Sequence, residues 1–227
     1  MNHLFFGHED RVAAGTTVFV HSVLQHARSP VALMPITRMA ASGVTEEGTN
    51  AFTFRRFLVP RIMGYRGVAA FVDGSDMLCR CDISDLFCLF DDTKAVQVVK
   101  HNYQTRHPRK YVGAWMEAGN ADYERKQWAS VMLINCAHPQ WSFMHQGYVQ
   151  QLAKENPLAL LQFRFLPDSA IGDLPIEWNW LVDEHGPNED ARILHWTAGV
   201  PGIAHYNRAP MHSEWHSALS AAATITG

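Results

Sequence analysis

Asp73 and Asp76 follow directly on Val68–Val72 (VAAFV), a run that is apolar throughout. Two carboxylates close together at the end of a buried strand raise each other's proton affinity unless something neutralises them. A hard divalent cation does so. Mg²⁺ or Mn²⁺ prefers carboxylate oxygens and keeps coordination places open for phosphate oxygens and water. Asp73 and Asp76 are therefore candidates for holding a metal and a small phosphorylated ligand. Their position agrees, since ligands of open α/β sheets gather beyond the carboxyl ends of the strands. The same residues also allow a plain reading in which Asp73 and Ser75 cap the next turn. The cysteines offer less chemistry: Cys79 and Cys81 form a C-x-C without a second pair, unlike zinc spacing, and with Cys88 and Cys136 they read as reduced thiols.

The elements around the acidic turn have the pattern of a parallel sheet. Residues 3–6 are a short apolar strand that stops at Gly7. Residues 16–25 have apolar residues at helical spacing, with Val20, Val23 and Leu24 on one face, and residues 31–36 (VALMPI) read as the second strand. Small polar residues at 37–50 predict a loop, and residues 52–63 a helix that Pro60 ends or kinks. Residues 95–100 and 131–135 are further strands, and residues 143–153 a further helix. The polar, basic stretch 102–127 reads as a surface excursion, and residues 217–227 as a helix running into a tail.

Composition narrows the function. The 227 residues are 47% hydrophobic and 18% charged, with a net charge of −3. That suits a globular α/β protein and disfavours a general nucleic-acid binder, which needs a clustered basic face. No run approaches the length of a membrane span, and the N-terminus lacks the basic and apolar regions of a signal peptide. The expectation is a cytoplasmic protein with no membrane span and no nucleic-acid partner.

Five segments together resemble glycosyltransferase family eight and its bacterial relatives. FVDGSDMLCRCDISDLF (71–87) resembles the family's D-x-D segment, and ASVMLINC (129–136) its later strand. LPIEWNWL (174–181) resembles the "LPxxWN" segment, LHWTAGVPG (194–202) the closing "HFTG…KPW" motif, and FTFRRFLVP (52–60) the "YxRLxLP" helix. The segments follow the family's order across nearly the whole chain.

The resemblance implies a single GT-A domain over residues 1–227, an α/β fold with a mostly parallel mixed sheet flanked by helices. Residues 1–100 would be its nucleotide-binding half and residues 101–227 its acceptor side. It also implies transfer of a hexose from a nucleotide-diphosphate sugar, a UDP-sugar foremost, to a carbohydrate or other hydroxyl acceptor, with retention of configuration and with Mn²⁺ or Mg²⁺ as cofactor. Asp76 matches the second aspartate of D-x-D and Asp73 the first by position, but D-G-S-D is one residue wider, which leaves open whether Asp73 or Ser75 faces the ribose and metal. His195 matches the metal-ligand histidine. Arg56 matches the arginine over the donor, the alternative being Arg55 outward and Arg56 in a surface ion pair. Asp168 falls where the family has "DQDxLN" and would stabilise positive charge developing on the sugar. Gly7, His8 and Glu9, in the first βα turn, would lie by the uracil or ribose.

The chain departs from the family in two places. The lysine of "KPW" is absent, since the sequence continues Val200-Pro201-Gly202. Lys100, Arg56 or a residue of 105–110 (TRHPRK) is the available substitute, although that stretch also reads as solvated charge. Trp128 stands where the family has asparagine, as a stacking surface for a sugar or as a buried aromatic. Competing functions are a sugar nucleotidyltransferase, disfavoured because GHEDRVAAGT (7–16) lacks a glycine-rich basic loop, a nucleotide-sugar-binding module without activity, and a metal-dependent hydrolase.

Overall fold

The unbroken apolar runs of the central strands decide the architecture. In a computed structural model, which describes residues 1–37, 44, 48 and 50–224, the strands are β1 (Asn2–Gly7), β2 (Val31–Ile36), β3 (Val68–Val72), β4 (Met77–Cys79), β5 (Val96–Val98), β6 (Arg109–Lys110), β7 (Ala118–Gly119), β8 (Val131–Asn135), β9 (Ile171–Asp173), β10 (Trp180–Leu181) and β11 (Ile193–His195). The helices are α1 (Ala13–His26), α2 (Val59–Ile62), α3 (Ser84–Phe87), α4 (Gln146–Glu155), α5 (Pro157–Leu161), α6 (Val182–His185) and α7 (His212–Ala223).

Six strands form the main sheet in the order β2-β1-β3-β8-β5-β9. All neighbours pair in parallel except β8, which runs antiparallel between β3 and β5. Side chains leave a strand alternately to its two faces. Ala69, Phe71, Met132 and Ile134 accordingly enter one core, while Ala70, Val72, Val131 and Leu133 enter the other. Both faces are covered, which is why these strands read as continuous apolar runs. A second sheet, β10-β11-β4, lies against α1 and α7 around Trp196 and Trp215.

The predicted strands at 3–6, 31–36, 68–72, 95–100 and 131–135 all form. Three details differ from expectation. On α1 the buried face is Val18, Phe19, Ser22 and Val23, while Leu24 is exposed. Residues 52–63 make turns, a 3₁₀ helix over Arg55–Leu58 and then the short α2. Pro60 stands in the first turn of α2 and does not end it, since a proline there gives up an N–H that has no intrahelical partner. The loop predicted at 37–50 and the tail at 225–227 fall largely outside the described residues.

Candidate active site

β3 delivers Asp73 to its carboxyl end, and the turn behind it does the rest. Gly74 has φ +72, and a Cβ there would lie 3.0 Å from Phe6 Cβ and 3.1 Å from the Gly7 carbonyl oxygen. Glycine alone fits both constraints. Ser75 N donates to Asp73 O at 2.8 Å and Met77 N to Gly74 O at 3.0 Å, so the chain reverses within four residues and enters β4. The residue by which D-G-S-D exceeds D-x-D is absorbed in this turn. Asp73 and Asp76 end on the same side. Ser75 is buried, its carbonyl packed where a Cβ on Gly15 of α1 would collide with it.

β11 pairs antiparallel with β4, setting His195 opposite Met77, beside Asp76. One ligand atom each from Asp73, Asp76 and His195 lies within 4.8 Å of the others, and all three residues are buried. His195 Nε2 is 3.4 Å from Asp76 Oδ2. Its Nδ1 is 2.9 Å from Asn179 Oδ1, Asn179 Nδ2 donates to Ser130 Oγ at 2.8 Å, and Ser130 Oγ donates to Gln127 O at 2.6 Å. This chain fixes a tautomer. Ser130 spends its proton on a carbonyl, so it accepts from the amide, and Asn179 therefore presents its oxygen to the Nδ1–H of His195. The Nε2 of His195 is thereby left facing the Asp76 carboxylate, and the contact is favourable only with positive charge between them, a proton or a metal ion.

The electrostatics carry the same sign. Burial pushes the Asp73 carboxyl up to about 6, with Arg56 pulling it down and Asp76 pushing it further up. For Asp76, burial also opposes ionisation, but the neighbouring His195 outweighs it and holds this carboxyl below its ordinary value. Asp76 Oδ1 is buried without a hydrogen-bond partner. Two carboxylates, one of them carrying an orphaned oxygen, and an imidazole held by its outer nitrogen fit a small divalent cation such as Mn²⁺ or Mg²⁺.

Arg56 is buried between the rings of Phe52 and Phe71, with its guanidinium carbon 5.3 and 5.0 Å from their centroids. Nη1 lies 2.6 Å from Asp73 Oδ1 and 2.6 Å from Ala129 O, and Nε donates to Thr53 O at 2.9 Å. The pair it makes is thus a buried one at the site. Arg55 is buried as well, bonded to the carbonyls of Ala51 and Val44. Beside Asp73 opens a cavity lined by Arg56, Lys110, Tyr123, Gln127 and Ser130.

The other predicted residues are placed less centrally. Gly7 ends β1 where a Cβ would strike the Phe52 ring at 2.5 Å. His8 bonds Thr16 and Asp10, and Glu9 is buried, held by Arg11 at 2.7 and 2.6 Å and by the Ala51 N–H at 3.0 Å. Asp168 stands just before β9, exposed and paired with Arg125 at 2.7 Å, in a different pocket with Lys100 and Trp128. It is not brought to the Asp73–Asp76–His195 cluster. Lys100 pairs with Asp173 at 3.0 Å, and Trp128 donates to His101 O while Arg125 lies over its ring at 5.0 Å.

The sequence reading passed over Asn179, which fixes the His195 tautomer, although it is the last residue of the quoted "LPxxWN" match. It also left Lys110 undistinguished within 105–110. Lys110 reaches the cavity because β6 pairs with β7 into a hairpin whose Tyr111 N donates to Ala198 O at 2.7 Å, next to the closing segment.

Solved structures with this architecture include the galactosyltransferase LgtC in complex with donor and acceptor sugar analogues. It superposes with a TM-score of 0.65 at 11% identity, over 99% of this chain and 97% of that one. The glycosyltransferase GlyE of Streptococcus pneumoniae TIGR4 follows at 0.64 and 14%, over 96% of this chain and 60% of its own. The bifunctional glycosyltransferase WbbM has a TM-score of 0.59 at 14% identity, and this chain spans about half its length, 49%. No family model matches the chain. Protein CDI of Arabidopsis thaliana is 32% identical over 210 residues, which cover 87% of this chain and 78% of that protein. With the sheet order and these matches in place, the chain belongs to the family of Arabidopsis protein CDI and has the GT-A fold of glycosyltransferases.

Proposed function

We propose that this protein is a metal-dependent glycosyltransferase that moves a hexosyl group from a nucleotide-diphosphate sugar, a UDP-sugar, to a hydroxyl acceptor. The observation that carries the reading is the buried cluster of Asp73, Asp76 and His195 at the carboxyl end of β3, on a GT-A sheet. Asp73, Asp76 and His195 Nε2 would hold Mn²⁺ or Mg²⁺. When bound, such an ion supplies Lewis-acid neutralisation of the charge gathering on the leaving diphosphate. Asn179 keeps the imidazole lone pair directed into the site. Arg56 holds the Asp73 carboxylate in place and presents a guanidinium to the cavity where the donor's sugar would lie.

Retention of configuration follows from the family-eight resemblance. The leaving phosphate would take the acceptor's proton on the same face of the sugar. No step in this reading depends on Asp168, which pairs with Arg125 in a different pocket. Among the described residues no helix is long and apolar enough to cross a membrane. All four cysteines are free, which suits a reducing, cytoplasmic setting.

Donor hydrolysis and UDP binding with Mn²⁺ test the proposal in wild type, Asp76→Ala and His195→Ala. The expected outcome is metal-dependent turnover that falls at least about 100-fold in either variant, the scale of removing a transition-state charge stabiliser. Unchanged turnover in the variants overturns the assignment. Metal-dependent UDP binding without turnover on any donor would make the protein a nucleotide-sugar-binding module.

A further inference from the structure

Lys110 is a cation of this site that feels the charges of Asp76 and Asp73 but, among the described residues, is held by no hydrogen bond or ion pair. Arg56 is committed to Asp73, Ala129 O and Thr53 O. Lys126 pairs with Asp122 at 3.3 Å, and Lys100 with Asp173. The Lys110 ammonium lines the cavity with Arg56 and Asp73, and among the described residues it makes no hydrogen bond or ion pair. The residue is half-buried and its ammonium is not among the buried atoms left without a partner, so a ligand entering the cavity can reach it.

Its backbone is held firmly. β6 pairs Lys110 with Ala118, Val112 N donates to Tyr206 Oη at 3.1 Å, and Tyr111 N ties the hairpin to Ala198. The closing segment that follows His195 meanwhile lacks a lysine of its own. Charge balance points the same way. With a dication bound, Asp73, Asp76, Arg56 and Lys110 would together carry a net charge of +2, which matches the two negative charges of a sugar-nucleotide diphosphate.

We infer that Lys110, carried in by the β6–β7 hairpin, is the binding residue for an anionic oxygen of the donor, which belongs to the diphosphate or to a carboxylate on the sugar. The inference rests on the glycosyltransferase reading and deepens it. It makes the hairpin part of the donor site, in a stretch whose sequence reads as exposed charge.

Calorimetry with Mn²⁺ present, using UDP, UDP-glucose and UDP-glucuronate on wild type, Lys110→Met and Lys110→Arg, tests it. Loss of one charge-assisted hydrogen bond should weaken binding about 10- to 100-fold in Lys110→Met, with Lys110→Arg recovering most of it. Equal weakening for all three ligands assigns Lys110 to the diphosphate. Weakening confined to UDP-glucuronate assigns it to a sugar carboxylate. Mn²⁺ affinity without nucleotide should not fall in Lys110→Met, which separates this residue from the metal ligands, and an unchanged melting temperature shows that the variant is folded. If Lys110→Met binds all three ligands within about twofold of wild type, the inference is overturned. If wild type itself binds none of them, the proposed function fails and this inference with it.

Discussion

The site owes its chemistry to a side chain that touches no ligand. Asn179 orients the imidazole, and Ser130 orients Asn179 through a proton it has already given to Gln127 O. Such outer partners of a metal-bound histidine fix its tautomer and raise its basicity, and losing one weakens metal binding about 10- to 100-fold. Asn179→Ala should therefore weaken Mn²⁺ binding by that factor while leaving Asp73, Asp76 and His195 in place. Calorimetric titration of Mn²⁺ into the variant checks it, and wild-type affinity would refute the role given to Asn179. The acidic pair was legible in the sequence because two carboxylates after an apolar strand need an explanation in any fold. The amide was not, because its function exists only through contacts with residues 49 and 16 positions away along the chain.

Elements are positioned by equally specific ties, and one of them titrates. Asp82, in the D-I-S-D-L-F stretch after β4, is buried. It accepts from Ser84 N at 2.9 Å, Arg28 N at 3.1 Å and Arg28 Nε at 2.9 Å. It thereby anchors the first turn of α3 to the segment that leaves α1. Burial disfavours its charge, but these donors outweigh burial and bring its carboxyl down to about 2. A depressed carboxyl contributes stability that is complete above its unfolded value, near 4, and is lost as pH falls towards 2. Asp82→Ala should lower stability by about 1–3 kcal/mol at pH 7, the range for unsatisfied buried hydrogen-bonding groups, and the gap to wild type should close between about pH 4 and pH 2. Urea unfolding at a series of pH values measures this, and a gap independent of pH would contradict the assignment. The strands at 31–36, 68–72 and 131–135 were readable from their apolar runs, since burial on both faces leaves an unambiguous mark. The hairpin at 109–119 was not. Each of its strands is two residues long, and what holds it is a backbone bond from Tyr111 to Ala198, which no local pattern encodes.

Across the whole molecule, the site is assembled from chain segments that fold far apart in sequence. Asp73 comes from the end of the main sheet, Asp76 from the turn into the small one, and His195 from β11, which the small sheet pairs with β4. The resemblance to family eight ordered these segments correctly along the chain, but only the pairing of His195 with Met77 brings residue 195 to residue 76. A cation shared by these side chains would bind the folded protein and find no comparable site in the unfolded chain, so its binding free energy would add to folding stability. At a free concentration about 100 times its dissociation constant, a ligand stabilises by about 2.7 kcal/mol. In a domain of this size that corresponds to a rise in melting temperature of about 5–10 °C. Wild-type protein should show this rise on passing from EDTA to saturating Mn²⁺. Asp76→Ala, which leaves the sheets intact but removes the carboxylate with the orphaned oxygen, should show little of it. Equal shifts in the two proteins would mean that Mn²⁺ acts elsewhere and that the joint between β3, β4 and β11 is not where the metal binds.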